Sequence, residues 1–217
     1  MDVKKILSAC DHTLLHPDST REQIRALCDD ALRYETAAVC IPPCFVRTSK
    51  EYLDGRIPVC TVIGFPNGNT ASVVKEFETR AALDDGADEI DMVINIGMLK
   101  AGEDDYVRNE IRRIREICGG HILKVIVEAC LLSEEEKIRV CRIVTDAGAD
   151  FIKTSTGFSA GGATFEDVKL FAENIGPDVR IKAAGGIDSL KTAQRFLDLG
   201  ASRLGTSRIV KIVKETA

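Results

Sequence analysis

Ala147-Gly148-Ala149-Asp150-Phe151-Ile152-Lys153 contains one of three junctions that decide the architecture of this chain. Asp85-Gly86-Ala87-Asp88 and Leu199-Gly200-Ala201-Ser202 are the other two. Each glycine follows an amphipathic run, such as 73–83 or 138–146, and precedes a short apolar one. Glycine readily supplies the left-handed residue that closes a helix, so each junction reads as helix, cap and strand. Strands are predicted after the junctions at 89–94, 151–154 and 203–205. Further strand-like runs lie at 37–41, 58–63, 122–128 and 179–183, with a first one near 7–11.

The segments between the strands carry helix starts. Ser133-Glu134-Glu135-Glu136 and the stretch from Thr20 to Gln23 are capping boxes, and Asp188 is placed to cap the run up to Leu199. About eight strand–helix units result, and nearly continuous apolar strands alternating with helices mean a parallel sheet covered on both faces. Residues 1–217 hold no linker or low-complexity stretch and read as a single domain. So many units in so short a chain predict an α/β fold of the (β/α)₈ TIM-barrel type. A doubly wound sheet would place a glycine fingerprint after its first strand, where Cys10-Asp11-His12-Thr13 stands instead. The active site is expected at the C-terminal ends of the strands.

Composition narrows the function. The 29 Lys+Arg against 34 Asp+Glu leave a net charge of -5, which argues against a general nucleic-acid binder. No apolar run reaches the roughly 18 residues of a membrane span. The apolar stretch near the start breaks at Asp11-His12, so no signal peptide is expected. The 8 cysteines are too few for a disulfide scaffold. Cys10, Cys40, Cys60 and Cys130 sit in apolar runs and read as reduced core thiols of a cytoplasmic protein. Cys40 and Cys44 lack a second Cys or His pair, so no metal site is expected.

The informative residues are charges inside apolar strands. Five residues beyond each junction glycine stand Asp91, Lys153 and Gly205, which share a register on the fourth, sixth and eighth strands. One layer of a barrel interior comes from alternate strands, so these three are expected at one level of the lumen. Lys182 lies on the intervening seventh strand, and Lys124 and Glu128 on the fifth, pointing to one side by the period-two rule. A lone charge at a strand end is usually solvated, but several in adjacent strands cost too much to bury without a task. Two neighbouring lysines in a dry site disfavour each other's protonation and leave an amine able to form a Schiff base. A carboxylate such as Asp91 can then move the protons.

Glycines supply a second half of the site. Gly185-Gly186 follow the seventh strand, and Gly205-Thr206-Ser207 follow the eighth and open the last helix. Phosphate recurrently binds after these two strands in this fold. The run Gly157-Phe158-Ser159-Ala160-Gly161-Gly162 offers a third loop, readable either as a phosphate contact or as plain turn chemistry. A phosphorylated small carbonyl compound is the implied substrate.

Four segments also carry a resemblance. Asp11-His12-Thr13-Leu14-Leu15, Asp91-Met92-Val93-Ile94-Asn95-Ile96-Gly97, Lys153-Thr154-Ser155-Thr156-Gly157-Phe158 and Ile181-Lys182-Ala183-Ala184-Gly185-Gly186-Ile187 resemble, in order, the signature segments of the deoxyribose-phosphate aldolase family. The resemblance implies a metal-independent class I aldolase without a cofactor, interconverting 2-deoxy-D-ribose 5-phosphate with D-glyceraldehyde 3-phosphate and acetaldehyde. It implies Lys153 as the Schiff-base lysine, and Asp91 and Lys182 as proton donors and acceptors, with Lys182 also holding Lys153 unprotonated. Gly185, Gly186, Gly205, Thr206 and Ser207 match phosphate-binding positions, and Asp11, Lys124 and Cys40 match supporting ones. It further implies a homo-oligomer, a dimer or larger, with no nucleic-acid or membrane partner.

Two departures stand out. Some members of that family end in a tail tyrosine that assists proton transfer, whereas this sequence ends Lys214-Glu215-Thr216-Ala217. Arg208 stands where a small residue is expected and either contacts phosphate or faces solvent. Two rival readings are a transaldolase-like enzyme acting on longer sugar phosphates and a non-catalytic barrel that binds sugar phosphates.

Overall fold

A computed structural model describes residues 2–216. Eight parallel strands close into a barrel in chain order: β1 (Cys10–Thr13), β2 (Ala38–Ile41), β3 (Val59–Ile63), β4 (Glu89–Val93), β5 (Ile122–Ile126), β6 (Phe151–Lys153), β7 (Arg180–Ala184) and β8 (Ala201–Thr206). Outside them run α1 (Val3–Leu7), α2 (Arg21–Tyr34), α3 (Val46–Leu53), α4 (Ser72–Asp84) and α5 (Ile96–Lys100). They are followed by α6 (Asp104–Cys118), α7 (Glu134–Asp146), α8 (Phe165–Asn174), α9 (Leu190–Asp198) and α10 (Ile209–Thr216). This is the expected TIM barrel. Gly86, Gly148 and Gly200 all take positive φ, between 74° and 107°, which is why glycine recurs at the junctions. The boxes at Thr20/Gln23 and Ser133/Glu136 form in both directions.

Five local expectations need correction. The apolar run near residue 7 is helical: Asp2 accepts from the Lys5 amide, and Ile6 and Leu7 are buried in α1, so β1 begins only at Cys10. Strand β5 stops at Ile126, because Glu128 is left-handed (φ 51°) and leaves the sheet. Helix α9 is capped by Ser189, whose hydroxyl accepts from the Thr192 amide at 3.0 Å, while Asp188 accepts from the Thr192 hydroxyl at 3.2 Å. Strand β4 is followed by two helices, since Asn95 caps α5 and Gly102 (φ 80°) separates it from α6. All eight cysteines are free, but Cys130, like Cys44, is exposed rather than in the core.

The apolar core is the shell between barrel and helices, where Ile6, Ile41, Ile90, Phe171 and Phe196 are buried. The lumen differs. Register and the two-residue pleat place Ala38, Glu89, Phe151 and Arg203 of the even strands in its lowest layer. Above them lie Asp11, Cys60, Lys124 and Lys182 of the odd strands, then Cys40, Asp91, Lys153 and Gly205 of the even strands again. The last of these layers contains the predicted trio of Asp91, Lys153 and Gly205. Branched apolar residues usually fill these positions. Here they are largely charged.

On the outer face of β1, His12 is buried, with Nδ1 lacking a hydrogen-bond partner among the described residues. Burial pushes its pKa down to about 4, against the pull of Asp30. The unfolded chain therefore binds up to one more proton between the ordinary imidazole value of 6.5 and about 4, and stability should fall as pH is lowered through that window. Urea denaturation of the parent and of His12→Gln over this range should show a shallower pH slope in the variant. Equal slopes would contradict the assignment.

Candidate active site

The charged lumen converges on one carboxylate. Asp91 Oδ2 accepts from Lys153 Nζ and from Lys182 Nζ, each at 2.7 Å, and Asp91 Oδ1 accepts from Lys124 Nζ at 2.7 Å. The nitrogens of Lys153 and Lys182 are thus no further apart than twice that distance. Lys182 also donates to Asp11, and Lys124 pairs with Glu89 at 2.6 Å. Arg203 closes the base of the network on Asp11 at 2.6 Å and on Glu89 at 3.1 Å. Asp11, Asp91, Lys124 and Lys182 are fully buried, and Lys153, nearest the mouth, is 3% exposed.

Burial alone would raise the carboxyl pKa values, but the surrounding cations override it. Lys124, Lys153 and Lys182 hold Asp91 well below the usual range, and Lys182, Lys124 and Arg203 do the same for Asp11. Burial likewise acts to deprotonate Lys182, yet Asp11 and Asp91 outweigh it and push its pKa up. Lys124 is raised in the same way, burial being outweighed by Asp91, Cys60, Asp11 and Glu89. Both carboxylates and both of these lysines are therefore charged at neutral pH. Two donor groups, Cys40–Cys60–Asp91 and Asp11–Cys60–Glu89, are compact enough to hold a metal ion. In this structure a protein cation occupies that space: Lys124 Nζ lies 3.2 Å from Cys60 Sγ and 3.7 Å from Asp11, besides its contacts to Glu89 and Asp91.

Above this network a cavity of about 300 Å³ opens from Lys153 to the surface. Gly185, Gly186, Gly205, Thr206, Ser207 and Arg208 line one wall, so the predicted phosphate-binding residues share one space with Lys153. Gly185 and Gly186 take φ of 77° and 73°, a turn that side-chain-bearing residues resist. In the third glycine loop Gly162 serves packing, while Gly157 and Phe158 line the cavity. A Cβ on Gly162 would lie 2.5 Å from the Gly185 carbonyl carbon, and the Ala163 amide donates to the Ala184 carbonyl at 2.9 Å. Thr154 fixes β6 to β7, exchanging hydrogen bonds with the Ala184 carbonyl and amide. Opposite the glycines, Phe158 packs edge-on to Phe65 at 5.3 Å and near His16 at 5.9 Å, and forms an aromatic rim.

Cys40 is buried in the upper lumen layer beside Cys60, its register partner. Glu128, expected to point with Lys124, instead accepts from the Thr156 amide at 3.2 Å and from its hydroxyl, outside the lysine cluster. The sequence reading missed Glu89, Arg203 and Cys60. The two-residue spacings Glu89/Asp91 and Arg203/Gly205 carried the signal, since both members of each pair face inward. The tail expectation falls partly on Ala217, which lies outside the described residues; Lys214, Glu215 and Thr216 belong to α10.

Comparison with known proteins agrees with this geometry. A profile of the DeoC/LacD family of aldolases matches residues 5–207. The chain belongs to that family. A deoxyribose-phosphate aldolase of Streptococcus pyogenes serotype M28 is 57% identical over 217 residues, covering 100% of this chain and 97% of the relative. One of Streptococcus agalactiae serotype Ia is 57% identical over 214 residues, covering 99% and 96%. The solved structure of the tetrameric deoxyribose phosphate aldolase of Aeropyrum pernix superposes with a TM-score of 0.91 at 31% identity, covering 99% of this chain and 92% of that one. The lysine-bearing lumen described above is therefore that of an aldolase barrel.

Arg203 is the element of this aldolase's network furthest from the mouth. Arg203→Met leaves Asp11 Oδ1 and Glu89 short of donors in a buried site, and a loss of about 3 kcal/mol is expected. Urea unfolding measures it. A loss below about 1 kcal/mol, the range of exposed pairs, would show that the base of the lumen does not depend on this cation.

Proposed function

We propose that the chain reversibly cleaves 2-deoxy-D-ribose 5-phosphate into D-glyceraldehyde 3-phosphate and acetaldehyde through a Schiff base on Lys153. The observation that carries this reading is the pair Lys153 and Lys182 on one oxygen of Asp91, at the floor of a cavity whose far wall is a glycine cradle. Four cations, Lys124, Lys153, Lys182 and Arg203, face three carboxylates, Asp11, Glu89 and Asp91. One positive charge is left over in a dry site, and releasing one proton removes it. Lys153 has a single carboxylate partner and borders the cavity, so it is the amine that gives up the proton. The remaining cations stay paired.

The free amine attacks C1 of the open-chain aldehyde, and loss of water from the carbinolamine gives the protonated imine. Asp91 and Lys182, both at the nitrogen, shuttle the protons. Removal of the proton from the C3 hydroxyl breaks the C2–C3 bond. Its electrons pass to the imine as an enamine, and D-glyceraldehyde 3-phosphate leaves. Protonation of the enamine at C2 and hydrolysis of the imine then release acetaldehyde and return the amine. The phosphate rests on the Gly185–Gly186 turn and the segment from Gly205 to Ser207, which fixes C1 at Lys153. Asp11, Lys124 and Cys40 hold the lumen side of the site.

The same reading takes the protein to be a cytoplasmic homo-oligomer. Val73 and Phe77 of α4 are 67% and 70% exposed, an apolar face suited to a second copy. The eight free thiols suit a reducing compartment, and among the described residues no helix is long and apolar enough to cross a membrane.

Borohydride reduction in the presence of acetaldehyde, followed by peptide mapping, tests the assignment. A two-carbon adduct is expected on Lys153 in the parent and on no lysine in Lys153→Arg. An adduct confined to Lys182 or Lys124 would overturn it.

A further inference from the structure

Arg208 is the residue of the cavity wall whose charge the mechanism leaves unused. It stands between β8 and α10, its amide donates to the Thr206 hydroxyl at 3.1 Å, and its carbonyl accepts from Ile212 at 2.9 Å. The backbone there is fixed and the side chain is exposed at the mouth, beside Gly185, Gly186 and Ser207. Among the described residues its guanidinium pairs with no carboxylate. Arg203, on the same strand run, is by contrast committed to Asp11 and Glu89. The lysine of the cavity wall, Lys153, is held by Asp91 at the floor.

The mouth also carries an opposing charge. Asp188 lines the same cavity, with its carboxylate turned onto the first turn of α9 through Thr192. Backbone N–H groups of a glycine cradle serve a neutral hydroxyl and a phosphate alike, though they favour the anion. With Asp188 alone the fixed charge at the mouth is negative and repels a dianion. Arg208 cancels that carboxylate and adds five donors in a fork that matches phosphate.

We propose that Arg208 is the specificity-determining residue of this site, the one that makes it prefer a sugar phosphate over the unphosphorylated sugar. The proposal rests on the aldolase reading above and adds to it the source of substrate selection. Arg208 acts on the end of the substrate remote from the bond that breaks. That contact already exists in the bound ground state, so its loss is expected chiefly in KM.

Steady-state cleavage of 2-deoxyribose 5-phosphate and of 2-deoxyribose tests this in the parent, Arg208→Ser, Arg208→Lys and Asp188→Asn. Arg208→Ser should lose about tenfold to a hundredfold in kcat/KM on the phosphorylated sugar, through KM. Its rate on the free sugar and its acetaldehyde adduct on Lys153 should be retained. Arg208→Lys should recover much of the loss as a point charge, and Asp188→Asn should lower KM for the phosphate only. Added salt should raise KM steeply in the parent and less in Arg208→Ser. An unchanged preference between the two sugars in Arg208→Ser, or an equal loss on both, overturns the proposal. Failure of the aldolase reading itself looks different: the parent would then release no D-glyceraldehyde 3-phosphate.

Discussion

Asp91 Oδ2, accepting at once from Lys153 and Lys182, is the contact on which the lumen depends. Three lysine nitrogens reach this one side chain, and each, when charged, would be prohibitively costly in a dry interior without it. The carboxylate in turn stays ionised at full burial only because of those cations. Neither side of the arrangement is stable alone. The positive charges outnumber the negative ones by one, and on the proposed mechanism the proton released is the one on Lys153, the lysine at the cavity. Binding chemistry and acid–base chemistry thus follow from one count of charges.

The fold makes that arrangement affordable by separating two interiors. The shell between strands and helices is apolar and carries the hydrophobic stabilisation. The lumen, relieved of that role, is free to hold charge in layers, with a small apolar cluster of Ala38, Cys40, Cys60 and Val62 on the β2–β3 side and Phe151 at its base. Closure of the sheet leaves no edge, so every strand end at the mouth can be devoted to ligand. The turns after β7 and β8 face the cavity directly, and Lys153 reaches it from the layer below.

Much of this was legible in the sequence, for a physical reason. Junction glycines fix where each strand starts, and the pleat then fixes which residues face inward, so Asp91, Lys153 and Gly205 fell into one layer by counting alone. Glu89 and Arg203 obey the same count but sit at strand starts, where a charge usually meets solvent. Only the closed barrel shows that the base of the lumen buries Glu89 and draws the Arg203 side chain onto it. Glu128 was misplaced because alternation was extended past the point where its left-handed backbone ends the strand. Leu7 was misplaced because a short apolar run does not by itself distinguish strand from helix. The Asp2 cap decided that case.

The central claim is that three of the four lumen cations keep their charge while Lys153 does not. Counting hydrogens on the lysine nitrogens by neutron diffraction at neutral pH, in the unliganded protein, tests it most directly. Two hydrogens are expected on Lys153 Nζ and three on both Lys124 and Lys182, with Lys182→Leu returning the third to Lys153. Three hydrogens on Lys153 Nζ, whatever the count on Lys182, would overturn the assignment.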